Sequence, residues 1–283
     1  MGRAFGFLLA ILVGLTSVSA QEVAVSATCD FLLPAYMSEA EGREIAVSKA
    51  RLQALADEFG TILSQETWSE MRTDNSSVSS QSLWQSASSL VKGEWIRDTR
   101  EPMIKKSLTA DGSTFLTVTV WGMARPVTTL PVDLKTFVSL PGGGIPVERF
   151  RHDSRFTLNF LSPENGYVAV YLADEEGNVS RLLPFSQEEV SSLRVDAMKQ
   201  YEFFTSQEGV EEQYRFITNQ PKVFNTVFVV FARNEFTRPI DSYDETSNIR
   251  VLKKADFFDW VARLRSTDRT VQVETLNVEI VRK

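Results

Sequence analysis

The stretch that decides the fold runs from Arg155 to Pro184 and reads RFTLNFLSPENGYVAVYLADEEGNVSRLLP. Apolar side chains alternate at Phe156, Leu158 and Phe160, and turn residues separate three short runs of high strand propensity. The acidic turn Asp174-Glu-Glu-Gly-Asn178 joins the last two of these runs. The stretch therefore predicts an antiparallel β-meander.

Downstream residues extend this meander. Strands are expected at Tyr201–Thr205, Gln213–Thr218 and Val223–Ala232, and the last is nearly continuous in apolar residues, which predicts a central strand. An amphipathic helix is expected to start near Ala255-Asp256 and to be followed by a closing strand at Thr270–Val281. The apolar residues of this closing strand change parity along its length. They occupy odd positions at Val271 and Val273 but even positions at Leu276, Val278 and Ile280. This change predicts a bulge near Glu274–Leu276.

The first half of the chain predicts a helix on a small sheet. The helix is expected over Arg43–Gln65, because apolar residues such as Leu52, Leu55 and Phe59 recur at steps of three and four. The Asp111-Gly112 dipeptide predicts a hairpin. The expected strands are Cys29–Leu33, Val91–Arg97, Met103–Leu108 and Ser113–Met123.

A joint is predicted where four prolines and a triple glycine crowd together, at Pro126, Pro131, Pro141, Pro146 and Gly142–Gly144. The predicted organisation is a helix-on-antiparallel-sheet module at 21–125, a joint at 126–149 that can include a first strand at Val132–Leu140, and a module at 150–283. The last module is expected to be mainly antiparallel, β-sandwich-like, with one late helix. The predicted fold class is α+β.

The first twenty residues predict a cleavable export signal at 1–20. Arg3 precedes an apolar run from Phe5 to Val13, and Val18-Ser19-Ala20 precedes Gln21, which predicts cleavage between Ala20 and Gln21. Phe5 to Leu15 is shorter than the roughly 20 apolar residues that span a bilayer. We therefore expect an exported protein of the periplasm or cell envelope, with no transmembrane segment in the mature chain.

Charge and cysteine content narrow the possible partners and chemistry. The 283 residues carry a formal net charge of -7 and show no basic patch, which argues against a nucleic-acid partner. Cys29 is the single cysteine, so no intramolecular disulfide can form. The residues before Cys29 lack the usual lipidation pattern, which favours a buried free thiol over a lipid anchor.

His152 is the sole histidine and lies between Arg151 and Asp153, a pattern more typical of a solvated turn than of a catalytic base. One histidine and one cysteine cannot supply a usual zinc site. Oxygen clusters that could hold calcium occur at Asp174–Asn178 and at Asp241–Glu245, but neither has EF-hand spacing. We predict no catalytic residues, no metal and no cofactor.

Two loops are the predicted partner contacts, since exposed loops on a scaffold often carry recognition. One is the serine-rich tract Ser76–Ser89 with Trp84, and the other is Phe236–Tyr243 with Arg238, Asp241 and Tyr243. Both could instead be tolerated insertions. Several aromatic residues could line a ligand surface, although strand aromatics more often pack in a core. They are Tyr167, Tyr171, Tyr201, Phe203 and Phe204.

Two resemblances follow from these residues. The segments Phe156–Phe160, Gly166–Tyr171 and Gly177–Pro184, with the Phe257–Trp260 helix and the Val271–Glu274 strand, resemble the domain-of-unknown-function family 4384 over about residues 150 to 283. The first module, with Gly42, the Ala46-Ala50-Ala54 helix, and the Trp95 and Phe115–Trp121 strands, resembles the N-terminal domain of flagellar assembly protein T and its lipoprotein relatives. An export signal ending Ser-Ala-Gln, together with both modules, is similar to exported proteins of the Bacteroides group. These resemblances imply envelope-associated accessory or binding roles and carry no established active site.

The expected function is therefore that of an exported, non-enzymatic accessory or interaction protein of the bacterial cell envelope, with an envelope protein or a glycan as partner. The alternative is an envelope hydrolase or glycan-active enzyme with close carboxylates or with His152 beside a nucleophile. A further alternative is a glycan- or calcium-binding module.

Overall fold

The structure is a computed structural model and describes residues 22–61, 90–109, 112–127, 131–185, 188–205 and 214–282. In these ranges the chain forms sixteen strands and two helices. The strands form antiparallel sheets apart from one parallel pair, Arg149–Arg151 with 279–281, so the predicted α+β class with a sandwich-like arrangement is confirmed. Within the described ranges, neither helix is long and apolar enough to cross a membrane.

A three-stranded antiparallel sheet carries the first helix. Its order is β1 (Val23–Leu32), β3 (Thr114–Pro126) and β2 (Gly93–Leu108). The helix α1 (Glu39–Phe59) begins before the predicted Arg43, because Ser38 and Glu41 form a capping box that satisfies the first free backbone N–H groups. It ends at Gly60, which has a φ of 77°.

Strand β2 joins two strands that the sequence predicts as separate. Its pairing with β3 shifts register between Trp95 and Arg97, between Asp98 and Arg100, and between Arg100 and Met103. These irregularities admit Pro102, which has no backbone N–H to donate, into a continuous edge strand. The predicted hairpin between β2 and β3 is confirmed, and Gly112 adopts a φ of 85° at its turn.

The rest of the chain builds a large sheet, a second sheet facing it and a two-stranded ribbon. The eight-stranded sheet contains β14, β15, β9, β8, β13, β16 and β5 in that order, with β10 paired to β8; the second sheet has the order β11, β7, β4; the ribbon pairs β12 with β6. The bounds are β4 Lys135–Ser139, β5 Arg149–Arg151, β6 Ser154–Arg155, β7 Thr157–Leu161, β8 Gly166–Ala173, β9 Asn178–Leu183, β10 Leu193–Val195, β11 Gln200–Phe203, β12 Arg215–Phe216, β13 Lys222–Ala232, β14 Ser242–Asp244, β15 Ile249–Lys253 and β16 Gln272–Val281. Strand β4 lies within the predicted joint.

Two hydrophobic cores lie on opposite faces of the large sheet. On one face, α2 (Lys254–Thr267) buries Phe257 and Val261 against Phe228 of β13, and the same cluster includes Leu52 of α1. On the other face, Phe231 of β13 packs in a cluster with residues of the second sheet. Burying one such side chain stabilises the fold by about 1.5–3 kcal/mol. The prediction that β13 is a central strand is confirmed, since it pairs with β8 and β16.

The bulge predicted near Glu274–Leu276 is wrong. Pairing of β16 with β13 is continuous from Phe231 opposite Gln272 to Lys222 opposite Val281. The apolar parity changes because the strand serves both cores, with Val273 in the cluster around α2 and Val278 in the cluster on the opposite face. A straight strand that crosses from one core to the other therefore produces the same pattern as a bulge.

Candidate functional site

A row of polar side chains crosses the large sheet from its core to its edge. Tyr171 lies opposite Arg181, Arg181 lies opposite Arg250, and Arg250 lies opposite Tyr243. Because directly opposite residues point to the same face of a sheet, the four side chains share one face. The row begins in the core beside Phe228, which is opposite Tyr171, and ends at the 47% exposed Tyr243.

Asp241 contacts both arginines of this row. Its Oδ2 lies 3.3 Å from Nε of Arg181 and its Oδ1 lies 3.1 Å from Nη1 of Arg250. The side chains of Arg181 and Asp241 are 0% and 3% exposed, whereas that of Arg250 is 30% exposed. Since a buried charge is costly unless it is paired, the carboxylate is what makes two facing arginines tolerable here.

Burial dominates the electrostatics around Tyr171. Burial raises the pKa of its hydroxyl far above the ordinary value, so the hydroxyl stays neutral. It makes no hydrogen bond to any described residue, while its ring packs 5.0 Å from that of Phe257 and 5.4 Å from that of Trp260. Burial also lowers the pKa of Arg181, and Asp241 opposes that shift. An arginine stays charged at any physiological pH, so the buried pair is ionic.

The loop Phe236–Tyr243, called the anchored loop below, is tied down at several points. Trp260 donates from Nε1 to the Thr237 carbonyl at 2.8 Å, and Phe236 is only 5% exposed. Arg238 donates from Nη1 to the carbonyls of Glu188 and Val190 at 3.0 and 3.4 Å. With Asp241, these contacts hold the loop by its backbone and by three of its side chains.

Between these anchors, the loop presents an apolar side chain to solvent. Ile240 is 95% exposed, whereas Pro239 before it is buried and the side chain of Asp241 after it points inward. Val190, whose carbonyl accepts the Arg238 hydrogen bond, is itself 48% exposed. An exposed aliphatic side chain on a rigidly held loop can serve as an anchor for a partner, because little conformational entropy is lost on binding.

The predicted contact residues thus have different positions. Arg238 is partly buried, Asp241 points into the protein, and Tyr243 lies at the exposed rim. Trp84 and the predicted cleavage site at Ala20 and Gln21 lie outside the described residues. Sequence reasoning missed Arg181, although its parity with the buried Val179 on β9 signals an inward-pointing charge that needs an acidic partner.

His152 is held by the backbone. Its Nδ1 accepts a hydrogen bond from the Thr218 N–H at 3.1 Å, so a neutral ring carries its proton on Nε2. The neighbouring Asp153 instead forms an ion pair with Arg215 at 3.0 Å. Neither arrangement is that of a catalytic triad, in which an acid accepts from the Nδ1–H of the base.

The two acidic clusters fulfil separate structural roles. In the turn after β8, Asp174 accepts from the N–H of Asn178 at 2.8 Å, and a cavity of about 230 Å³ lies between this turn and the segment 217–225. In the second cluster, Asp241 contacts arginines and Asp244 accepts from the Thr246 N–H at 3.0 Å. Among the described residues, no three His, Cys, Asp or Glu side chains converge as metal ligands do.

The aromatic residues that could line a ligand surface, and Cys29, lie largely in the interior. Tyr171, Phe203 and Phe204 are buried, and Tyr201 stacks on Phe203 with ring centroids 5.6 Å apart. Cys29 is a half-buried thiol on β1 opposite Val118, on the face that packs against α1.

Comparison with known protein families finds no matching family model, and comparison with curated proteins finds no match either. The resemblances to the domain-of-unknown-function family 4384 and to flagellar assembly protein T therefore stay predictions.

Proposed function

We propose that this chain is an exported, non-enzymatic accessory or interaction protein of the bacterial cell envelope, which contacts a protein partner through the anchored loop. The observation that carries the proposal is the buried contact of Arg181 with Asp241, which holds the loop while Ile240 stays 95% exposed. Replacing a buried ion pair by apolar residues is often neutral or stabilising. The pair is therefore better explained by the loop position that it defines than by stability.

The chemistry of the loop suggests the kind of contact. Ile240 and Tyr243 offer an aliphatic and an aromatic anchor, which are the side chains that dominate many protein interfaces when they enter a partner's pocket. The hydrogen bonds from the Arg238 side chain to the carbonyls of Glu188 and Val190 restrict the loop before a partner binds. A partner with an apolar pocket then binds a preformed surface rather than ordering a flexible one.

Site-specific photo-crosslinking in intact cells tests this proposal. A photoreactive amino acid is placed at position 240 or, as the control, at position 198, where Met198 is another apolar residue with 73% exposure. The protein is exported by its own signal, and its mature N-terminus is expected to be Gln21. We expect one dominant crosslinked envelope protein from position 240 and a different or no product from position 198.

The identified partner is then tested with point variants. Ile240→Ser should weaken its binding to the purified chain about tenfold or more, because a buried aliphatic anchor contributes about 1.5–3 kcal/mol, whereas Met198→Ser should leave binding unchanged. The proposal fails if both positions give the same products or if Ile240→Ser binds like the parent. Hydrolysis of an envelope substrate by the purified protein would refute its non-enzymatic part.

A further inference from the structure

The three-stranded sheet has a second face, called the outer face below, on the side opposite α1. Pairing of β1 with β3 places Ser26 beside Trp121 and Thr28 beside Thr119, and pairing of β2 with β3 places Arg100 beside Trp121. Side chains of the other parity on β3, including Leu116, are fully buried in the cluster beneath α1. The outer face therefore contains a separate set of residues that does not belong to that core.

This outer face is open to solvent. The residues that β1 and β2 contribute, among them Ser26, Thr28 and Arg100, are exposed, and those of the central strand β3, such as Thr119 and Trp121, are half-buried. Even the larger apolar side chains at its margins, such as Met103 with 43% exposure, remain accessible.

Hydroxyl groups form a fixed array along the middle of the face. The Oγ1 atoms of Thr28 and Thr119 are 2.9 Å apart in a hydrogen bond, and Thr117 donates from Oγ1 to Oδ1 of Asp30 at 2.8 Å. Each hydroxyl can still accept a hydrogen bond from a ligand. The array therefore offers several preoriented polar atoms next to the indole of Trp121.

Two cations line one side of the array, and neither has a carboxylate partner in the part of the chain that the structure describes. The Arg100 guanidinium lies 5.7 Å from the centroid of the Trp121 ring, and neither it nor Lys105, which is opposite Thr117, forms an ion pair with a described residue. By contrast, the next residue, Lys106, is on the α1 side and contacts Glu39 at 2.6 Å. Among the described residues, Arg100 and Lys105 are thus two cations of the outer face that form no ion pair, in a chain whose formal net charge is -7.

We propose that the outer face binds an anionic polysaccharide. Guanidinium and ammonium groups bind carboxylate or phosphate groups, the hydroxyl array hydrogen-bonds sugar hydroxyls, and the aromatic edge packs against the apolar faces of sugar rings. The face is the exposed surface of a sheet, whereas small molecules bind in concave pockets, which favours an extended polymer as the ligand.

The dimensions of the face disfavour a protein partner here. A ten-residue strand is about 33 Å long and three strands span about 10 Å between their outer axes, which gives about 330 Å². A stable protein interface needs about 800 Å² from each partner.

Isothermal titration calorimetry with two defined polymers tests the inference. Polygalacturonate supplies carboxylated sugars and dextran supplies neutral ones. We expect the parent protein to bind polygalacturonate in a salt-sensitive manner and dextran at least tenfold more weakly. The double variant Arg100→Gln/Lys105→Gln should lose about tenfold or more in affinity, whereas the matched control Lys106→Gln should bind like the parent.

Melting temperatures of the variants verify that each is folded, and Ile240→Ser, which leaves the outer face intact, should bind polygalacturonate like the parent. A failure of polysaccharide binding at the outer face can thus be distinguished from a failure of partner binding at the anchored loop, because the two sites are changed by different variants. The inference is overturned by absence of polygalacturonate binding, by equal binding of dextran, or by equal affinities of the double variant and Lys106→Gln. Tighter binding of single-stranded DNA or of anionic lipid vesicles would also overturn it.

Discussion

Removing the carboxylate of Asp241 tests the buried ion pair directly. In Asp241→Asn, the Arg181 side chain, which is 0% exposed, faces a neutral amide and the guanidinium of Arg250. Leaving one partner of a buried pair uncompensated costs about 3–5 kcal/mol. This is a large fraction of the roughly 5–15 kcal/mol that stabilises a typical protein. Urea unfolding at pH 7, followed by tryptophan fluorescence, measures the loss.

Two further variants make this result interpretable. Asp153→Asn also breaks an aspartate–arginine contact, but that pair with Arg215 is exposed, so a loss below about 1 kcal/mol is expected. The double variant Arg181→Met/Asp241→Asn removes both buried charges and should recover most of the stability lost in Asp241→Asn. The reasoning is refuted if Asp241→Asn costs less than about 1 kcal/mol, or if the double variant is less stable than Asp241→Asn.

Two other predictions concern backbone packing and pH. Gly166→Ala should destabilise the protein by about 1–3 kcal/mol in urea unfolding, because the new Cβ would lie 2.5 Å from the Ala232 carbonyl oxygen; Gly144→Ala, with no atom within 4 Å, should have no effect. Burial raises the pKa of Glu274, so its contribution to stability is present at low pH and is lost as the pH rises through that raised pKa. The melting temperature of Glu274→Gln minus that of the parent should therefore be larger at pH 8 than at pH 4. The same difference at both pH values would contradict the raised pKa of Glu274.

The fold was largely predictable from local patterns. Alternation around Phe156–Phe160 and the acidic turn after Ala173 identify strands because the period of side chains is a property of each strand alone. The continuous β2 was not predictable, since its irregular pairing across Pro102 depends on β3. The parity change in β16 was misread for a similar reason, because a sequence pattern does not distinguish a bulge from a strand that contacts two cores.

The candidate site was only partly predictable. The loop Phe236–Tyr243 is recognisable as a polar excursion between apolar segments, but its residues have opposite roles, with Asp241 inside and Ile240 outside. The reason is the contact with Arg181, which lies far away in the chain and is brought close by the pairing of β9 with β15. A charge pair between residues that are far apart in the sequence produces no repeating pattern in either local segment, so it could not be predicted from such patterns. The outer face was missed because its cations are dispersed along β2 and emerge as a group only once the strand parity is known.

A final experiment separates the positional role of the buried pair from its effect on stability. If Arg181 and Asp241 serve mainly to place the anchored loop, then Arg181→Met/Asp241→Asn should fold with near-parental stability and still lose the crosslink from position 240. The loss should be comparable to that of Ile240→Ser, although no exposed side chain has changed. The control Arg100→Gln/Lys105→Gln, which changes only the outer face, should keep the crosslink. A folded double variant that still crosslinks at position 240 like the parent would show that packing of Trp260 and Phe236 places the loop without the charges.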